Sequence, residues 1–134
     1  MLKRRKMLMI SCGAVGFLVL AAAAGAWGLT PSRLTYLTFS GPVGLPGMTL
    51  PAGTYAFELA APDTSLEIVR VRDKEHSKKV YFMDFTRMVQ RPADLPKDYH
   101  VSFGEAPAGA APPILVWYPA GDPSGRRFIY NRVR

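Results

Sequence analysis

Between residues 34 and 133, apolar and polar side chains alternate in short runs punctuated by proline and glycine, a period of two that predicts strands and leaves no long helical pattern. Leu34 to Ser40 sets Thr35, Leu37 and Phe39 on one face and Tyr36 and Thr38 on the other, and Gly41-Pro42 ends the run. Pro46 to Gly53 reads as a turn, with Pro51 suited to a turn's second position and Gly53 to a positive φ. Thr54 to Leu59 restarts the alternation, placing Tyr55, Phe57 and Leu59 opposite Glu58. In Leu66 to Arg72, Val69 and Val71 oppose Ile68, Arg70 and Arg72, as expected of a sheet with one face on a core and one in water.

The second half continues the pattern. Asp73 to Lys79 is a polar connecting turn, and Val80 to Val89, apolar on both faces, reads as one long central strand. Arg91 to Lys97 is a surface connection, His100 to Phe103 a short strand, and Ala106 to Pro113 a polyproline-like linker. Ile114 to Tyr118 and Arg127 to Val133 form a final hairpin closed by Pro119 to Gly125. Seven or so strands in about 100 residues predict an all-β domain, a small antiparallel β-sandwich or barrel.

The first 26 residues are of another kind. Lys3-Arg4-Arg5-Lys6 precedes an apolar and small-residue run from Met7 to Ala26, which predicts a signal helix. Ala24-Gly25-Ala26 supplies the small residues a signal peptidase needs, so the organisation expected is a signal peptide over 1–26 and a single all-β domain over 27–134, exported to the periplasm or beyond the cell. Two other fates use the same residues. The run could stay as an anchor, since it approaches the length needed to cross a hydrocarbon core of about 30 Å. Met9-Ile10-Ser11-Cys12 also resembles a lipidation site at Cys12, and Arg4-Arg5 loosely resembles a twin-arginine signal.

Charge and cysteine narrow the picture. The formal charge of +7 includes four basic residues of the leader; without them 13 basic residues face 10 acidic ones, a net of +3. That balance lacks the dense basic footprint of a nucleic-acid binder, so nucleic acid is not an expected partner, and the membrane is expected to be met only through the N-terminal segment if that is retained. Cys12 is the one cysteine, so the domain must hold together without a disulfide.

Reactive side chains are sparse. His76 sits in a charged turn and His100 at a strand start, and neither has a second ligand at metal-binding spacing, so no metal or cofactor site is expected. Ser124-Gly125 lacks the surroundings of a nucleophile elbow. Glu58, Glu67, Asp84 and Glu105 are the strand-borne carboxylates, and Asp84, which interrupts an apolar run, is expected to face outward or to pair with Arg70 or Arg87. The densest grouping of recognition residues is the C-terminal hairpin. There Trp117 and Tyr118 accompany Arg126, Arg127 and Arg132, a combination of rings and guanidinium groups expected to contact an envelope polymer or a protein partner.

Thr38-Phe39-Ser40, Val43-Gly44-Leu45-Pro46-Gly47, the run Leu50-Pro51-Ala52-Gly53-Thr54-Tyr55-Ala56-Phe57, and Trp117-Tyr118-Pro119 with Gly121, Gly125 and Phe128-Ile129-Tyr130 carry a resemblance spanning residues 34 to 130. On these residues the chain resembles a group of small uncharacterised secreted bacterial proteins. Their Leu-Pro-Ala-Gly-Thr-Tyr pattern marks the start of a β-strand and no catalytic centre, so the resemblance implies an all-β fold and export only. The chain departs from the group at Ala120, where a Gly often follows Tyr-Pro, and in a less acidic stretch around Glu105. The expectation is an exported, non-catalytic all-β module for binding or for envelope structure. The alternative is a periplasmic enzyme or metal-binding protein whose site is scattered over several strands.

Overall fold

The alternation resolves into ten strands among the residues that the computed structural model describes, 30–76 and 78–130, and none of these residues is helical. The chain divides between Thr30 and Pro31. The expected signal helix, its cleavage after Ala26 and Cys12 all lie outside the described residues, as does Arg132.

Two four-stranded antiparallel sheets form the frame. The first has the order β1 (Thr35–Phe39), β4 (Gly53–Leu59), β5 (Ile68–Asp73), β6 (Val80–Phe85). The second has the order β7 (Arg87–Gln90), β10 (Ser124–Arg127), β9 (Ile114–Tyr118), β8 (His100–Phe103). Between β1 and β4 the chain makes a small hairpin of β2 (Val43–Leu45) and β3 (Met48–Leu50). The expected turn over Pro46 to Gly53 is thus shorter than its sequence suggested, because Val43, Leu45 and Leu50 are buried and draw their flanks into pairing. Gly53, at the start of β4, has a φ of 155°, in the region that favours glycine.

The inward faces read from the sequence are the ones buried. Leu37, Tyr55, Phe57, Leu59, Val69 and Val71 from the first sheet meet Ile114 and Trp117 from the second and Phe128 just beyond it in one core. Rings make the contacts specific: Phe57 lies 5.9 Å from Trp117, and Phe82 5.5 Å from Phe128, both edge to face.

The long run Val80 to Val89 departs from expectation. It is no central strand but two edge strands, β6 and β7, parted at Thr86 where the chain passes from one sheet to the other. Thr86 is buried, and both its amide and its Oγ1 donate to the Glu67 carbonyl at 2.7 Å, while the Glu67 carboxylate accepts from the Met88 amide at 3.2 Å. A register shift beside Val71 and Arg72 accompanies inward packing of both Tyr81, against Tyr55, and Phe82, and leaves Val80, Met83 and Phe85 exposed. Apolar residues on both faces therefore signalled an exposed edge. The last strand also shifts: β10 covers Ser124–Arg127 instead of beginning at Arg127.

On the outer face of the first sheet, Glu58 is only 5% exposed although its position faces outward. Burial raises its pKa, but hydrogen bonds from Arg72 and Arg70, each Nε at 2.8 Å from Oε2, outweigh that and hold the carboxyl below its usual range. A carboxyl depressed in this way contributes stability above its unfolded pKa and loses it as pH falls through the folded one. Glu58→Gln should therefore lose less melting temperature than wild type as pH is lowered below about 4.5, the ordinary glutamate value. Parallel curves for the two proteins would show that the triad is not what the acid limb reports.

Candidate functional site

The C-terminal hairpin holds its rings and guanidinium groups differently from the expected contact surface. Trp117 and Arg126 face each other across β9 and β10, and both are fully enclosed. Strand alternation explains Arg126: it is two residues from Phe128, which points into the core, and one from Arg127, which is exposed. The Arg126 Nε donates to the Leu66 carbonyl at 2.7 Å, and Nη1 donates to the Ser124 carbonyl at 2.9 Å and lies 3.2 Å from Asp122 Oδ2. The same Asp122 oxygen accepts from Arg33 Nε at 2.7 Å. Burial lowers the Arg126 pKa from its ordinary value, against the pull of the Asp122 carboxylate. This cluster joins the stretch before β1, the β4–β5 connection and the β9–β10 turn.

Tyr118 turns the other way and lies over Gly125 on the outer face of the second sheet, 9% exposed. Arg91 covers its ring at 5.7 Å, and His100 flanks it at 6.1 Å. Arg91 is itself fixed by donating to the carbonyls of Pro119, Asp122, Pro96 and Asp98. A Cβ on Gly125 would stand 2.5 Å from Tyr118 Cδ1 and 2.9 Å from Val116 Cγ1. Gly125→Ala should thus destabilise by about 1–3 kcal/mol through overpacking. The Gly125→Ala, Tyr118→Ala pair should cost less than the sum of the single changes in a denaturant melt; strict additivity would mean the ring does not need the glycine. Of the five hairpin residues named from the sequence, Trp117, Tyr118 and Arg126 are buried and Arg127 is exposed, while Arg132 lies outside the described residues.

The scattered reactive groups stay apart. Among the described residues no three His, Cys, Asp or Glu side chains gather as metal ligands would. Glu58 is occupied by its arginines. Asp84 is exposed, one of the placements expected of it, and accepts from the Phe85 amide at 2.7 Å, while Arg70, one of the two arginines considered for it, serves Glu58. His76 lies in the exposed turn, where its amide and Nδ1 hydrogen-bond to Asp73 and hold that carboxyl below its ordinary pKa.

The concave surface lies elsewhere. Because β6 runs on into β7, one flank of the two-sheet frame is bridged by the chain, and the opposite flank has β1 and β8 as its free edges. Along that flank two adjoining hollows of about 580 and 350 Å³ share Thr38, Phe39 and Phe103. Phe39 and Phe103 meet edge to face at 6.2 Å and form the floor between the sheets. The smaller hollow continues along Tyr36, Tyr99, His100 and Val101. The larger one continues to Pro42, Val43 and the Gly109–Pro112 linker, which is held down by the Gly44 amide donating to the Pro112 carbonyl at 2.8 Å. Tyr36, Tyr99 and Phe103 are each nearly half exposed. Neither lining contains Asp, Glu, Lys or Arg. A groove of this size, apolar in its floor with hydroxyls and backbone at its rim, can hold a ligand by ring contacts and hydrogen bonds.

Sequence reasoning missed this groove. It placed Tyr36 on the face opposite Leu37, as observed, but nothing local says that Thr35–Phe39 and His100–Phe103 become the free edges of two sheets on one flank. Compared with models of known protein families, with curated proteins and with solved structures, the chain matches none.

Proposed function

We propose that the chain is an exported small β-sandwich that acts as a binding or envelope-associated module without catalysis, and that it meets its partner through the groove between β1 and β8. The N-terminal basic and apolar segment, read as an export address, supports the location. The observation that carries the binding reading is the continuity of the two hollows over exposed rings, with no Asp, Glu, Lys or Arg in either lining. The exposed aromatics of the groove take over the contact role that the sequence suggested for the C-terminal hairpin. A partner is an envelope polymer or an envelope protein.

The test is a double change at the groove rim. Tyr36→Asp with Tyr99→Asp puts carboxylates on both walls while altering side chains that are half exposed and carry no core contact, so folding should survive. Wild type should co-sediment with an envelope fraction from its host and the double variant should not. Equal co-sedimentation of a folded double variant would remove the groove from the function.

A further inference from the structure

The four sheet edges of this domain are not protected alike. The β6 edge carries the exposed Asp84 and a register shift, and the β7 edge opens with the exposed Arg87. Charges and irregularities of this sort discourage a foreign strand from pairing. Of the two edges that flank the groove, β1, Thr-Tyr-Leu-Thr-Phe, carries neither a charge nor a register shift, while β8, His-Val-Ser-Phe, has no Asp, Glu, Lys or Arg but has a register shift against β9 between Ser102 and Phe103. Each therefore presents a row of backbone N–H and C=O groups that no other described strand takes up.

We propose that the occupant of the groove is an extended, uncharged segment of another polypeptide, which adds as a strand to β1, the edge with neither charge nor register shift. This rests on the reading of the groove as the contact site and names the partner's chemistry. Three features select it. Free strand edges offer donors and acceptors that repeat every two residues, a spacing of roughly 7 Å that an extended backbone matches residue for residue. The floor of Phe39 and Phe103 suits apolar side chains at alternate positions of such a segment. No Asp, Glu, Lys or Arg lines either hollow, and Lys74, whose Nζ stands 5.4 Å from the Tyr36 ring, is at one end only, so a charged side chain over the Phe39 and Phe103 floor would be desolvated without a charged partner in the lining. Charge matching and edge chemistry thus agree on the same occupant.

The test uses the full-length protein and an array of immobilised, end-capped peptides about seven residues long, built only from Ala, Ser, Thr, Val and Leu. The best binders are remade with N-methyl groups on alternate residues, and separately with two Glu substitutions. N-methylation removes main-chain donors along one edge and leaves every side chain in place. The inference expects binding by the unmodified peptides, a loss of at least about tenfold on N-methylation or on adding Glu, and loss of binding by the Tyr36→Asp, Tyr99→Asp variant. Equal affinity for the N-methylated peptides, or no peptide binding at all, overturns it. Chitotetraose serves as a neutral polymer probe in the same format. If it binds wild type but not the variant while the peptides are silent, the polypeptide occupant is wrong and the contact site stands. If neither probe binds and the variant keeps its envelope co-sedimentation, both fail.

Discussion

Trp117→Ala should destabilise the domain by about 3–5 kcal/mol, the range for deleting a fully enclosed large aromatic side chain. The indole sits on β9 in the second sheet and touches Phe57 of the first, so its removal opens a cavity at the seam that joins the sheets. With no disulfide in residues 27–134 to restrain the unfolded chain, that loss is a large share of a typical stability of about 5–15 kcal/mol. Trp117→Phe should cost much less, because the Trp117 Nε1 has no hydrogen-bond partner to lose and most of the ring volume is kept. Urea melts of the three proteins decide it. A Trp117→Ala midpoint within error of wild type would place the indole outside the core.

Arg126→Ala should come next, at about 3 kcal/mol, with Arg127→Ala within about 0.5 kcal/mol of wild type. The two are neighbours in sequence and identical in chemistry; only their side of the strand differs. Removing the buried guanidinium leaves the Leu66 and Ser124 carbonyls without their donor and takes one of two arginines from Asp122. Arg126→Met, which keeps apolar volume and removes the charge, should be milder than alanine. Similar midpoints for Arg126→Ala and Arg127→Ala would contradict the inward placement of Arg126.

These paired residues show what the sequence could and could not yield. Period-two alternation gave the inner faces of β1, β4 and β5 correctly, because a half-buried strand has no other way to satisfy both core and water. It failed at Val80 to Val89, where apolar residues on both faces were read as depth. There the structure has an edge and a crossing at Thr86, pinned by the distant carbonyl of Glu67. At the C-terminal hairpin it left open which side of the strand each residue takes, and Trp117 and Arg126, which looked like parts of a surface, are both enclosed. Counting back in twos from Phe128 would have turned Arg126 inward, but only a partner such as Asp122 makes that position tolerable for a guanidinium, and that pairing depends on a turn whose shape the sequence left open. The groove was illegible for a further reason. It is made by which strands end up outermost, a property of sheet order and not of any one strand.

Amide hydrogen exchange on the intact protein, with and without its envelope fraction, tests the central claim most directly. If the groove between β1 and β8 is the contact site, added protection should fall on residues 36–39 and 99–103 and on the linker over 109–112, and should be lost in the Tyr36→Asp, Tyr99→Asp variant. Protection confined to β6 and β7, or to the outer face around Tyr118 and Arg127, would contradict it.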